Sequence, residues 1–237
     1  MKELYEAASQ IGRPDRKGSM SEVRILIADD HQALQEGVRT IIEQQPGWHV
    51  CGTAVTGREA IELARKLKPD IVILDFRMPE LNGLEATRQI KRFLPQTEIL
   101  IFTAHDEDEL IRQAFAAGAR SLILKSEPLA RLVEAIRSLV QHKPFFSDKV
   151  SEVLFSRLVG GPRQNTNSKS FSNQLSARER EIVQLLAEGK SNKEVAATLG
   201  ISIRTAEAHR ASVLQKLGID SLAGLVRYAI RKGIIEP

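Results

Sequence analysis

The chain holds a single cysteine, Cys51, among 237 residues. One thiol cannot close an internal disulfide, and this fits a reducing cytoplasm. Cys51 lies in an apolar run and reads as a packed thiol, not a reactive one. No apolar run approaches the roughly 20 residues needed to cross a bilayer, so no membrane partner is expected. The first twenty residues are polar, carry Gly12, Pro14 and Gly18, and lack an apolar signal core. They read as a flexible extension over 1–20, with no export and a cytoplasmic location. Charge is nearly balanced: 34 basic and 30 acidic residues give +4. Residues 21–146 carry 16 basic and 18 acidic side chains, a net of −2; residues 172–237 carry 10 and 7, a net of +3. A polyanion partner would meet the back of the chain.

A length of 237 residues suits two domains. Apolar strand-like runs stand at 23–28, 49–54, 70–74, 98–102 and 121–124. Helix-period segments fill 32–44, 57–68, 83–93, 107–117 and 128–142. Five strand–helix repeats predict an α/β domain over 21–142, with a five-stranded parallel sheet between two helical layers. Thr56 and Glu59 form a capping-box pattern, and Gly118 stands where a helix should end. Residues 143–171 read as a linker with one possible short helix near 148–159, because 160–174 is rich in Gly, Asn, Ser and Gln. Four short helical segments follow, forming a separate all-α domain over 172–237. Ser176 with Glu179 and Ser191 with Glu194 are capping boxes. The short turn at Gly200 outlines a helix-turn-helix.

Ligands of open parallel sheets bind beyond the carboxyl ends of the strands. The first strand ends in Asp29 and Asp30, the third in Asp75, the fourth in Thr103 and the fifth in Lys125. Converging carboxylates repel unless a cation sits among them, and hard oxygens in this number suit Mg2+. An aspartate can accept a phosphoryl group as a nucleophile. Mg2+, Lys125 and Thr103 would neutralise the phosphoryl oxygens. A lone Asp at a strand end is often only a helix cap, and a lone Lys or Thr is commonplace. The second strand ends in Ala54 and offers nothing, but the full set, each member at a strand end, favours the functional reading.

The stretches "ILIADDH", "IVILDFRMPELNGLE", "ILIFTA" and "LILKS" resemble the receiver domain of two-component response regulators over roughly 22–142. The resemblance implies a flavodoxin-like (βα)5 fold and phosphorylation of Asp75 by a sensor histidine kinase. It also implies that Asp30, Asp75 and the Arg77 backbone carbonyl bind Mg2+, with Asp29 supporting the metal through water. Thr103 and Lys125 would hold the phosphoryl oxygens. Leu122 departs from the pattern: many receivers carry a reorienting aromatic there. Ser126 departs too, replacing a common proline after the lysine.

Residues 175–219 resemble the DNA-binding domain of the NarL/FixJ (LuxR-type) regulators, which follows a receiver in that family. The resemblance implies control of transcription on double-stranded DNA and a homodimer through the last helix, near 221–232. Its expected contact residues are Leu222, Leu225, Val226 and Ala229, although helical spacing alone does not separate a dimer face from a core face. The third helix would enter the major groove. A helical wheel packs Ala206, Val213 and Leu217 inward and turns Arg204, Ala208, Ala211 and Gln215 outward. The expected DNA-contacting set is Ser191, Asn192, Lys193, Arg204, Thr205, Glu207, Ala208, Arg210 and Ala211. Alanines suit thymine methyls, Glu207 suits a cytosine amine, and the arginines suit phosphates. For Arg210, a half-buried stem at the core edge weighs equally.

Three rivals stand beside this reading. A Mg2+-dependent phosphohydrolase would use the same aspartate, but Arg77 occupies the place of a second aspartate. A small-molecule-sensing LuxR protein would not need the strand-end carboxylates. An unphosphorylated receiver acting only as a dimerisation platform stays open through the Leu122 departure. The chain is therefore read as no enzyme beyond self-phosphorylation and self-dephosphorylation of the aspartate.

Overall fold

A computed structural model describes residues 22–159 and 175–235. The extension expected over 1–20 and the polar stretch 160–174 lie outside the described residues. The five predicted strands form as β1 (Val23–Ala28), β2 (Trp48–Ala54), β3 (Ile71–Leu74), β4 (Glu98–Thr103) and β5 (Ser121–Leu124). Between them run α1 (Gln32–Glu43), α2 (Gly57–Leu67), α3 (Gly83–Phe93) and α4 (Asp108–Ala117), and α5 (Leu129–Val140) follows β5. All pairings are parallel. β3 and β4 are buried along their whole length, as unbroken apolar runs require of strands covered on both faces.

Side-chain alternation splits the core in two. Leu26, Val72, Leu74 and Ile101 face the layer of α2, α3 and α4. Ile25, Ile27, Ile73 and Leu100 face α1 and α5. At Cys51 the register of β1 against β2 slips by one residue. The half-buried thiol donates to the Ile25 carbonyl at 3.4 Å. Burial pushes the Cys51 pKa up, as packing of a thiol does.

One expectation needs correction. The sheet has six strands, in the order β2-β1-β3-β4-β5-β6. β6 (Phe145–Phe146) pairs with β5, setting Phe146 beside Leu122. α6 (Asp148–Val159) then returns onto the α4 side, where Val150 and Val153 are buried in the receiver core. Phe146 packs edge-on against Phe115, with ring centroids 5.4 Å apart. The short helix expected near 148–159 thus forms as α6, and residues 145–154 pack against the α/β unit.

The C-terminal unit comprises α7 (Ala177–Ala187), α8 (Asn192–Leu199), α9 (Ile203–Leu217) and α10 (Leu222–Arg231). Two of the three predicted capping boxes form in full: Ser176 and Ser191 accept from the amides of Glu179 and Glu194, whose carboxylates reach back to the cap amides, whereas at Thr56 the Glu59 carboxylate takes the Val55 amide instead. Gly200 ends α8 with φ +63, a left-handed conformation that costs a residue with a Cβ. Ile182, Leu185, Val195, Val213, Leu225 and Ala229 make one small core. α7 also lies against the receiver, where Gln184 is 1% exposed.

Candidate functional site

β1 and β3 are neighbours, so their carboxyl ends lie side by side. Asp29 and Asp75 leave those ends, both almost fully buried. Asp75 is held by the amide of Phe76, which donates to Oδ1 at 2.6 Å. The loop after it folds back tightly. A Cβ on Gly83 would lie 1.9 Å from the Asp75 carbonyl oxygen, so only glycine fits where α3 begins. Asn82 caps that helix by accepting from the Glu85 amide.

Lys125, just past the end of β5, completes the centre. Its Nζ stands 2.7 Å from Asp29 Oδ2 and 2.8 Å from Asp75 Oδ2. Burial pushes the Asp75 carboxyl above its ordinary range, against the bond and charge of Lys125. For Lys125 burial acts downward, but the two carboxylates outweigh it and the ammonium is held more firmly charged. Thr103, at the end of β4, is 1% exposed, and its Oγ1 accepts from the His105 amide at 3.2 Å.

Asp30 is exposed beside this centre. His31, not singled out from the sequence, joins it: Nδ1 lies 2.8 Å from Asp30 Oδ1 and 3.3 Å from Asp29 Oδ1. Chiefly the Asp30 charge holds the imidazole pKa above its usual value. Ligand atoms of Asp29, Asp30, His31 and Asp75 all lie within 4.8 Å of one another. Three carboxylates in that space fit a hard divalent cation. Asp30, His31, Asp75, Arg77, Met78 and Pro79 line the same cavity, of about 350 Å³. So do Gln184 and Ala187 from α7, Glu188 at its C-cap, and Ile234 and Ile235, which the sequence reading did not connect with it. A polar Gln184 inside the apolar run of α7 was the one available signal.

Leu122 is buried in the core between β4 and β6, and it carries no aromatic ring to reorient.

In the helical unit, Ala206 and Val213 point into the core. Arg204, Thr205, Glu207, Ala208 and Ala211 are exposed on α9. Arg210 is half-buried and reaches Asn192 Oδ1 at 3.3 Å, tying α9 to the start of α8. Ser191 and Lys193 are exposed there. The expected dimer face divides. Leu225 and Ala229 are 1% and 0% exposed and belong to the domain's own core, because a three-turn helix needs one face to hold it. Leu222 and Val226 remain outward, with Leu222 46% exposed and Val226 half-buried.

Comparison with known proteins agrees with both halves. Residues 25–137 match the response regulator receiver domain, and residues 173–229 match the bacterial regulatory proteins of the luxR family. The transcriptional regulatory protein MctR of Rhizobium johnstonii is 35% identical over 215 residues, 91% of this chain and 96% of that protein. The oxygen regulatory protein NreC of Staphylococcus aureus is 37% identical over 216 residues, 90% of this chain and all of that one. RcsB from Salmonella enterica serovar Typhimurium, solved bound to a promoter with a phosphomimetic, is 26% identical. It covers 88% of this chain and 98% of its own, with a TM-score of 0.55. A LuxR-family two-component response regulator from Aurantimonas is 37% identical over 58% of this chain and 99% of its own, with the same TM-score. The chain belongs to the NarL/FixJ-type response regulators, in which a receiver domain is joined to a LuxR-type DNA-binding domain to regulate transcription.

Proposed function

We propose that Asp75 is the phosphoacceptor of this regulator and that a sensor histidine kinase is its donor. The observation that carries the reading is the Lys125 ammonium between Asp29 and Asp75 at the carboxyl edge of the sheet. Asp29, Asp30, Asp75 and the Arg77 backbone carbonyl would hold Mg2+, which when bound supplies charge neutralisation of the phosphoryl oxygens.

This chain's residues divide the work. A carboxylate oxygen of Asp75 attacks the phosphorus of the donor phosphohistidine. An O–P bond forms, the P–N bond breaks, and its electron pair returns to the imidazole nitrogen. The amide of Phe76 and Lys125 hold Asp75 in position. Lys125 follows the charge from the carboxylate onto the phosphoryl group, and the Thr103 hydroxyl donates to a phosphoryl oxygen. The chain catalyses no turnover beyond forming and hydrolysing this aspartyl phosphate.

Phosphorylation then shifts a pre-existing equilibrium toward a homodimer that binds double-stranded DNA in the cytoplasm. α9 enters the major groove. Glu207, Ala208 and Ala211 face bases, while Arg204, Thr205, Arg210, Ser191, Asn192 and Lys193 meet phosphates. Leu222 and Val226 supply the apolar contact between subunits.

The test uses DNA selected from a random pool by protein treated with acetyl phosphate and Mg2+. Binding to that DNA should tighten with acetyl phosphate in the wild type and not respond in Asp75→Asn. Equal response in both would overturn the reading.

A further inference from the structure

The inner face of α1 is formed by Gln35, Val38 and Ile42, and the first of these is polar. At 6% exposure the Gln35 amide needs partners inside the protein. It finds them at the ends of two strands. Nε2 donates to the backbone carbonyl of Asp29, just past β1. It also donates to the carbonyl of Ala54, the last residue of β2, at 2.7 Å. The same Ala54 carbonyl accepts from the Asp29 amide at 3.0 Å. Both backbone groups of Asp29 are thereby tied down, one to β2 and one to α1. Ala54 has no side-chain chemistry to offer, yet its carbonyl is the fixed point of this clip.

The clip reaches the carboxylates. The His31 amide donates to Asp29 Oδ1 at 2.9 Å, closing a turn between that carboxylate and the backbone two residues on. α1 starts at once from this turn, because the Leu34 and Gln35 amides both donate to the His31 carbonyl. Asp29 Oδ2 meets Lys125 at 2.7 Å. Asp30 is held less firmly: its side chain is 34% exposed and touches only the exposed ring of His31 among the ion pairs of the described residues. The peptide joining Asp29 to Asp30 is planar, so fixing the Asp29 carbonyl fixes the plane from which Asp30 hangs. The direction of Asp30 therefore depends on backbone that Gln35 secures.

We propose that Gln35 is a positioning residue for the cation site, acting through the Asp29–Asp30 backbone. It holds two carboxylates in a spacing suited to a small ion with strict octahedral geometry, so that binding does not have to order the turn. Groups that orient metal ligands from behind typically account for about 10–100-fold in metal affinity. Loss of the clip should weaken Mg2+ more than Ca2+, which is larger and less exacting in geometry. Asp75, Thr103 and Lys125 leave other strands and keep bonds of their own. Phosphorylation should therefore suffer only through poorer occupancy by the cation. The inference rests on Asp29, Asp30 and Asp75 forming the Mg2+ site proposed above.

The test titrates the full chain with Mg2+ and with Ca2+ by calorimetry, with no phosphodonor present. A second measurement follows phosphorylation by acetyl phosphate, read by intact mass, at rising Mg2+. Gln35→Met keeps the length of the side chain and removes the donor; Gln35→Asn, one methylene shorter, withdraws the amide and is the milder variant should the first not fold. Val38→Ala is the control, since Val38 is 1% exposed on the same face and has no part in the clip. The Gln35 variant should bind Mg2+ on the order of 10-fold more weakly. Its Ca2+ affinity should fall by less, and its phosphorylation rate should reach the wild-type plateau at saturating Mg2+. Val38→Ala should melt earlier and bind both ions as the wild type does. An unchanged Mg2+ affinity in the Gln35 variant would overturn the proposal and leave Gln35 as a partner for two carbonyls. So would an equal loss in Val38→Ala, or a plateau that stays low at saturating Mg2+. A wild type that binds no Mg2+ would instead overturn the cation site itself, and this proposal with it.

Discussion

Lys125 donates to Asp75 across 2.8 Å, and the same ammonium holds Asp29. One cation thus offsets two buried carboxylates. Replacing it by Met leaves both carboxylates uncompensated, which costs about 3 kcal/mol for a largely buried pair. Lys125→Met should unfold at a lower temperature without divalent cation, and Mg2+ should raise its Tm by more than it raises that of the wild type. Differential scanning calorimetry with and without Mg2+ checks both. An unchanged Tm would mean that the lysine is not what balances the site.

The β6–α6 segment is part of the receiver's stability. Val150 is fully buried and Val153 is 5% exposed. Val150→Ala and Val153→Ala should each destabilise the receiver by about 1.5–3 kcal/mol, as loss of a buried valine does. Chemical denaturation of the full chain measures this. Surface-like values under ~0.5 kcal/mol would return the segment to the linker.

Glu179 connects two helices of the DNA-binding unit. It completes the cap of α7 and accepts from Lys216 of α9 at 2.8 Å. The Lys216 bond, then the Ser176 amide, hold its carboxyl below the usual range. A depressed carboxyl stabilises above its unfolded pKa, and that stability is lost as pH falls through the folded value. Gln can keep the cap, so Glu179→Gln removes chiefly the Lys216 ion pair and should destabilise the unit by about 0.5 kcal/mol at neutral pH. The gap should shrink in high salt and close in acid, below the ordinary carboxylate range. Amide exchange in the first turn of α7, followed against pH, reads the difference.

These expectations show which parts of the molecule its sequence announces. The strands of the receiver and the capping boxes at Ser176 and Ser191 are local patterns, and they form as read. The acidic centre is legible for a topological reason: a parallel sheet brings all its carboxyl ends to one edge, so residues at strand ends meet. β6 is different. Two phenylalanines carry no alternation, and only the exposed edge of β5 tells them to pair. Leu225 and Ala229 show a second limit, because spacing defines a helical face without naming what covers it. The reach of Gln184 to the Met78 carbonyl and the Asn82 amide is a third. It joins residues about a hundred positions apart, and its only local trace is one amide in an apolar run.

Phosphoryl transfer to Asp75 is open to a direct chemical measurement. Intact-mass measurement of the full chain after incubation with acetyl phosphate and Mg2+ tests it most directly. The wild type should gain one phosphate, lost in alkali as an acyl phosphate is, and Asp75→Ala should gain none. A wild type that gains nothing, or an Asp75→Ala variant that gains the same mass, would contradict it.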